Sequence, residues 1–168
     1  MNRIIIVFLF AIVLAGCEGT FDAEKGETTQ GGELLQGVVT KVTDGDTFTV
    51  ELNGVEEKVR PILVDAPEIC HRNSPKDCEA EPFGDEATIF AEELLLDEIV
   101  YLEPDVSERD RYDRMLFYVY LEDGRMFQEL LLAEGLAEVA VFEPDIKYMD
   151  EFFKIQEQAQ KEKVGIWE

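Results

Sequence analysis

Two tight-turn signals, Asp44-Gly45 and Asn53-Gly54, divide the first part of this 168-residue chain into three runs of strand type. The middle run, Phe48–Leu52, alternates apolar and polar side chains with the period of a half-buried strand. The flanking runs, Leu35–Val42 and Val55–Val64, are rich in β-branched residues. Because such short reversals join antiparallel neighbours, the fold is constrained to begin with a three-stranded meander.

Later segments add two strands and three helices to this meander. Strands are predicted at Ile99–Leu102 and Met115–Leu121, and helices at Gly84–Glu98, Phe127–Glu134 and Tyr148–Lys163. Five strands dressed by helices predict an α+β fold dominated by a small β-barrel. Pro61 lacks a backbone N–H, so the third strand is expected to be a local edge or to bulge there.

The first sixteen residues have the composition of an export signal. Met1–Gly16 has a basic residue, Arg3, and then an apolar run that is too short to span a bilayer comfortably. Leu14-Ala15-Gly16-Cys17 resembles the lipobox of bacterial lipoproteins, so Cys17 is predicted to be lipidated. An ordinary cleavable signal or a simple anchor helix is the alternative.

Residues 17–35 are polar and rich in Gly, Glu and Thr, which predicts a flexible tether. The folded domain is then 36–168, near the common domain size. The chain is expected to be exported and held by its lipid on the outer face of a bacterial membrane. The sequence indicates no protein partner.

The remaining cysteines, Cys70 and Cys78, flank a short polar loop of an exported domain. An oxidising compartment favours a disulfide between them, and two free thiols are the alternative. His71 is the single histidine and is predicted to be a loop residue rather than a ligand or base.

Three short stretches combine carboxylates with arginines: Asp44–Thr47, Arg60–Glu68 and Asp110–Arg114. Carboxylate oxygens are the ligands that a hard cation such as Ca²⁺ prefers, and guanidinium groups pair with phosphate. Asp46 and Asp65 are therefore candidate metal ligands, although an Asp-Gly-Asp alone usually marks only a turn.

Glu68 lies three residues past Asp65 and is placed to act as a general base on water. Arg60 and Arg114 are the candidate phosphate-binding residues, and a plain ion pair with Asp110 or Asp113 is the alternative for Arg114. In a regular strand Arg60 and Asp65 would face opposite sides, so the chain must bend after about Leu63.

The overall charge opposes nucleic-acid binding. The chain has 38 acidic and 15 basic residues, a formal net charge of −23, which disfavours nonspecific contact with phosphates. Solubility, or adaptation to salty or alkaline surroundings, is the simplest explanation of the charge. The arginines nevertheless gather in or beside the charged stretches, at Arg60, Arg109, Arg111 and Arg114.

These residues resemble the staphylococcal nuclease (thermonuclease) family, over roughly Gln36–Glu168. Each motif alone is weak, and the resemblance depends on their order and spacing. They are Thr43-Asp44-Gly45-Asp46-Thr47, Arg60–Glu68 with Val64-Asp65-Ala66-Pro67-Glu68, Asp110-Arg111-Tyr112-Asp113-Arg114, Gly135-Leu136-Ala137 and Ala159–Trp167.

The resemblance implies an OB-fold barrel of five strands with three helices, in a lipoprotein-type member of that family. It also implies a Ca²⁺ ion held by Asp46, Asp65 and the backbone carbonyl of Ala66. Ala66 replaces a Thr of the family pattern, but little is lost because the carbonyl is the ligand.

The resemblance further implies a Ca²⁺-dependent endonuclease that cleaves DNA and RNA to 3′-phosphate products. In that enzyme Glu68 is the general base, and Arg60 and Arg114 stabilise the transition state. Tyr112 contacts a nucleotide phosphate, and Arg111 occupies a basic position nearby.

One departure affects substrate binding. Val141 and Glu143 stand where the best-known member has two tyrosines that pack near the nucleotide base, so affinity is expected to be lower or another residue to hold the base. Two rival functions remain: a non-catalytic module that binds nucleic acid or protein on the same fold, and an acidic Ca²⁺-binding surface lipoprotein. Retention of Arg60, Glu68 and Arg114 argues against the first, and the arginine cluster against the second.

Overall fold

A computed structural model describes residues 34–71 and 74–168 of the chain. The predicted signal peptide (1–16), Cys17 and nearly all of the predicted tether (17–35) lie outside the described residues. Within the described part, no helix combines the length and the apolar character needed to cross a membrane.

The described residues form seven strands, three α-helices and a final 3₁₀ turn. In chain order these are β1 (Leu35–Asp44), β2 (Thr47–Leu52), β3 (Val55–Pro61), β4 (Val64–Asp65), α1 (Gly84–Leu95), β5 (Ile99–Glu103), β6 (Met115–Leu121), α2 (Phe127–Ala133), β7 (Glu138–Val139), α3 (Met149–Glu162) and the turn Gly165–Trp167.

Five of the strands close into a barrel in the order β1-β2-β3-β6-β5, and β4 and β7 form a separate two-stranded sheet. All barrel pairs are antiparallel except β3 with β6. Asn53 and Gly54 both have positive φ, 53° and 83°, as the hairpin signal requires. The predicted α+β barrel with three helices is confirmed, whereas the small β4–β7 sheet was not predicted.

The helices lie outside the barrel, as their apolar spacing predicts. Helix α1 buries Ala87, Ala91 and Leu95, and it packs on β1. It ends at Leu95, three residues before the predicted end, because Leu96 is extended and Asp97 takes a left-handed φ of 64°. Helix α2 packs on α3 and is followed by Gly135, whose φ is also positive.

The end of β3 positions the site. The last pair of β3 with β2 is Val59 with Phe48, so Pro61 lies beyond that ladder and its missing N–H costs no hydrogen bond there. The chain then turns at Leu63, whose φ is +65° although its side chain is buried. This left-handed residue provides the predicted bend and starts β4.

Candidate active site

Asp46 is placed at the barrel rim by the tight reversal between β1 and β2. Gly45 is needed there because a Cβ atom would lie only 2.8 Å from the Cβ atoms of both Ala66 and Ala87. Asp46 is buried, and its Oδ2 accepts a hydrogen bond from the N–H of Ala66 at 2.7 Å. Desolvation raises the pKa of Asp46 to about 6, although the charge of Arg60 and the Ala66 N–H oppose this.

Arg60, in β3, joins the two candidate metal ligands. Its Nη2 donates to Oδ1 of Asp65 at 2.6 Å and lies 3.2 Å from Oδ2 of Asp46. Its Nη1 donates to the carbonyls of Pro61 and Val64. Because the side chain is 11% exposed, these acceptors fix the guanidinium in one orientation. The bend after β3 therefore brings Arg60 and Asp65 together.

Arg114 reaches the same region from the segment before β6. Its Nε donates to Oδ2 of Asp110 at 2.7 Å, and its Nη1 donates to Oγ1 of Thr47 at 3.1 Å. Burial alone would raise the pKa of Asp110, but hydrogen bonds from Arg114 and from the N–H of Tyr112 outweigh it and hold that pKa below its usual value. The ion pair with Asp110 is thus present, and Arg114 still lines the cleft described below.

The ring of Tyr112 lies close to two guanidinium groups. The Cζ atom of Arg111 is 4.7 Å from the centre of its ring, and that of Arg114 is 5.4 Å away. Both distances are within the range of a cation–π contact. The ring is nevertheless largely exposed, so it is open to a ligand.

Glu68 begins a loop whose ends are joined by hydrogen bonds and by a disulfide. Its N–H donates to the carboxylate of Glu81 at 3.0 Å, and the N–H of Glu81 donates to its carbonyl at 2.9 Å. A disulfide joins Cys70 and Cys78, with Cα atoms 6.0 Å apart. Nε2 of His71, in this loop, lies 3.7 Å from Oδ2 of Asp44.

The Glu68 carboxylate makes no hydrogen bond to any residue that the structure describes, which leaves it available to a water molecule. Desolvation raises its pKa, and repulsion from Asp46, Asp65 and Glu81 adds to the shift. A carboxylate whose pKa is raised toward neutrality is a better proton acceptor than an ordinary one.

One cleft of about 530 Å³ collects most of these side chains. It is lined by the four clustered arginines (Arg60, Arg109, Arg111 and Arg114), by Asp65, Glu68, Asp110 and Tyr112, and by Phe142, Glu143 and Asp145. Asp46 lies behind it, in contact with Arg60. The structure therefore brings together the predicted catalytic, metal-binding and substrate-binding residues of the described part.

Three residues of this region had no role in the sequence prediction. Thr47 links Arg114 to Asp46. Phe142 is 71% exposed on the cleft wall, between the two positions where tyrosines were expected. Asp145 is buried, and its carboxylate accepts hydrogen bonds from the N–H groups of Val106 and Ser107. An exposed Phe carries no sequence signal, whereas Thr47 belongs to the Thr43–Thr47 motif.

The donor chemistry fits a hard divalent cation. No group of three or more His, Cys, Asp or Glu side chains that could hold a metal occurs among the described residues. The donors that the resemblance implies are two carboxylates and a carbonyl. One guanidinium nitrogen already lies against both Asp46 and Asp65, which shows that they can share a positive charge. All these donors are oxygens, as Ca²⁺ or Mg²⁺ requires.

Comparison with known proteins assigns this chain to a family. The profile of the staphylococcal nuclease homologues matches residues 58–168. The chain belongs to the staphylococcal nuclease family. The matched range contains Arg60, Asp65, Glu68 and Arg114, while Asp46 lies before it.

Individual members of the staphylococcal nuclease family give the same result. The chain is 42% identical to the thermonuclease of Staphylococcus hyicus over 77% of this chain and 73% of that protein. It is 34% identical to the thermonuclease of Staphylococcus intermedius, over 98% and 94% of the two chains. It is also 42% identical to the SPbeta prophage-derived endonuclease YokF of Bacillus subtilis, but it spans only 45% of that longer protein and 80% of itself.

Proposed function

We propose that this chain is a Ca²⁺-dependent nuclease that hydrolyses phosphodiester bonds of DNA and RNA to 3′-phosphate products. One observation carries the proposal: two arginines, Arg60 and Arg114, and an unbonded carboxylate, Glu68, line a single cleft beside the paired carboxylates of Asp46 and Asp65. The names of its relatives, thermonuclease and endonuclease, support the same chemistry.

The side chains divide the work. Asp46, Asp65 and the carbonyl of Ala66 would hold the Ca²⁺ ion, which when bound polarises the phosphate and a nearby water. Glu68 removes a proton from the attacking water, because its carboxylate is unpaired and its pKa is raised. Arg60 and Arg114 donate to the phosphate oxygens as negative charge builds on them.

The aromatic side chains of the cleft would contact the nucleotide, Tyr112 through its phosphate and Phe142 through its base. Tyr112 and Phe142 are both exposed and both line the cleft. Stacking on an aromatic ring tolerates every base, so it suits a nuclease without sequence preference. Phe142 would pack against the base in place of the two tyrosines of the family, whose positions are occupied here by Val141 and Glu143.

A digestion assay tests the nuclease activity. Plasmid DNA and a single-stranded RNA are incubated with the purified protein in Ca²⁺, and then with a chelator. We expect chelator-sensitive cleavage that Glu68→Gln reduces at least a hundredfold, with Glu79→Gln, an exposed residue of the same loop, as the matched control. Folded protein without such activity would instead support the non-catalytic binding module.

The product ends and the anchor need separate measurements. End-labelling after phosphatase treatment distinguishes 3′-phosphate from 5′-phosphate products. Location on the outer face of a bacterial membrane is proposed from Cys17, so Cys17→Ser should move the protein from the membrane fraction to the medium or periplasm. If Cys17→Ser remains in the membrane fraction, the lipid-anchor proposal is wrong.

A further inference from the structure

We infer that Thr47 is a positioning residue that fixes the guanidinium of Arg114 relative to the carboxylate of Asp46. This inference rests on the proposed function. The hydroxyl of Thr47 lies 3.1 Å from Nη1 of Arg114 and 3.1 Å from Oδ1 of Asp46. It thereby connects the phosphate-binding side of the cleft to the metal-binding side.

The chemistry of the partners sets the direction of both bonds. A guanidinium group can only donate, so the hydroxyl accepts from Arg114 and its single hydrogen is left for the carboxylate of Asp46. An ionised carboxylate can only accept, so the hydroxyl hydrogen of Thr47 has an acceptor and the hydroxyl oxygen has a donor. Of common side chains that fit a strand, Thr and Ser alone offer one short donor and acceptor on the same atom.

Burial and backbone make this link rigid. Thr47 is the first residue of β2, pairs with Asp44 across the hairpin and is 7% exposed. Its branched Cβ restricts the side chain to few rotamers. A fixed hydroxyl therefore sets the distance between Asp46 and Arg114, which come from segments 68 residues apart in the sequence.

The same link decides which part of Arg114 faces substrate. Nε is taken by Asp110 and Nη1 by Thr47, and Nη2 makes no hydrogen bond to the described residues. The guanidinium is thus held at two points and presents its remaining edge to the cleft. Without the Thr47 hydrogen bond, the guanidinium would be held only by Asp110 and could rotate.

The test compares Thr47→Val, which keeps the shape but removes the hydroxyl, with Thr47→Ser, which keeps the hydroxyl. We expect Thr47→Val to lower kcat about 10- to 100-fold with KM changed less than threefold, and Thr47→Ser to recover most of the loss. Thr49→Val, on the same strand and outside these hydrogen bonds, is the matched control. Combined with Arg114→Gln, Thr47→Val should cause little further loss, since it acts through Arg114.

A readout without activity separates this inference from the proposed function. In metal-free protein labelled with ¹⁵N-arginine, slow rotation of the Arg114 guanidinium gives separate Nη signals, and these should merge in Thr47→Val. Merged Nη signals in the unmodified protein, or an unchanged kcat in Thr47→Val, would overturn the role of Thr47. If Thr47→Val does not fold, Thr47→Ala and the spectrum of the unmodified protein decide the question. Absence of nuclease activity with separate Nη signals would refute the function alone.

Discussion

Arg60 is the residue on which the arrangement of the site depends most. Its guanidinium contacts two carboxylates, those of Asp46 and Asp65, and two carbonyls, those of Pro61 and Val64. A planar group with five donors can satisfy such a set, whereas an ammonium group is a point charge with three. The fork geometry, and not the charge alone, is what the site uses.

Replacing Arg60 with Lys should therefore fail as a conservative change. We expect kcat to fall about 10²–10³-fold, the usual cost of losing one transition-state donor. Steady-state kinetics at saturating Ca²⁺ and substrate measure it, with Arg125→Lys as control because Arg125 pairs with Asp123 outside the cleft. A loss below threefold would show that Arg60 serves only as a counter-charge.

Phe142 offers a second prediction at this scale. Phe142→Ala should raise KM about tenfold with little effect on kcat, since base–aromatic stacking contributes about 1–3 kcal/mol. Phe153→Ala removes another partly exposed aromatic, on α3 and outside the cleft lining, and should leave KM unchanged. An equal KM for both variants would show that Phe142 does not bind the substrate.

At the scale of elements, the hairpin between β1 and β2 is fitted closely to the rest of the site. Gly45→Ala would place a methyl group 2.8 Å from two Cβ atoms that cannot rotate away. We expect a loss of about 1–3 kcal/mol in the free energy of unfolding, the range for overpacking. Chemical denaturation measures it.

A second substitution provides the control for Gly45→Ala. Ala66→Gly removes one of the two obstructing methyl groups, so the double variant Gly45→Ala, Ala66→Gly should recover part of the loss. Strictly additive effects would indicate that the methyl contact is not the cause.

A cluster of polar side chains around the buried Glu103 ties β5, β6 and the start of α3 together. Glu103 accepts hydrogen bonds from the hydroxyls of Tyr120 and Tyr148 at 2.7 and 2.9 Å, and from Lys147. Burial alone would raise the pKa of Glu103, but the bonds from Lys147, Tyr120 and Tyr148 outweigh it and lower that pKa below its usual 4.5. The folded state therefore favours the ionised carboxylate.

This shift fixes how stability changes with pH. Because the folded pKa is depressed, the contribution of Glu103 is complete above its unfolded pKa and is lost as pH falls through the lower, folded value. Glu103→Gln should cost about 1–3 kcal/mol at pH 7, and the difference from the unmodified protein should shrink below about pH 4.5. Denaturation curves at several pH values test this, with exposed Glu122→Gln as control; a constant difference would contradict it.

Much of the element level could be predicted from the sequence. Turn dipeptides and apolar periods located the barrel strands and all three helices, because these signals are local. The end of α1 and the β4–β7 sheet could not be located. Each lies near a residue with a left-handed backbone, Asp97 or Leu63, and neither residue is the glycine that would signal such a conformation in the sequence. The proximity of Thr47 to Arg114 depends on tertiary packing and was equally beyond local patterns.

At the scale of the whole molecule, four of the seven arginines in the sequence are gathered in one place. Four arginines line the cleft, while the chain as a whole has 38 acidic residues against 15 basic ones. Phosphates inside the cleft are therefore expected to account for most of the counterion release on binding. Binding is expected to depend on a few phosphates and not on a long track.

Salt dependence tests this distribution. For a single-stranded substrate, about three neutralised phosphates give a slope near −2 for the logarithm of kcat/KM against the logarithm of monovalent salt. Glu143→Lys, at a position that lines the cleft, should steepen the slope by about 0.7. A slope steeper than about −5 in the unmodified protein would show that phosphates outside the cleft are also bound.

The gathering of four arginines in the cleft also has a consequence for how long strands are degraded. After each cut, both products still carry phosphodiester groups that the cleft attracts and the surrounding carboxylates repel. Departure is then fast, and the acidic flanks give a strand no surface along which to slide to the next bond. We expect each cut to be a separate encounter, so that long polymers shorten gradually as a population and no molecule is consumed from end to end in one visit.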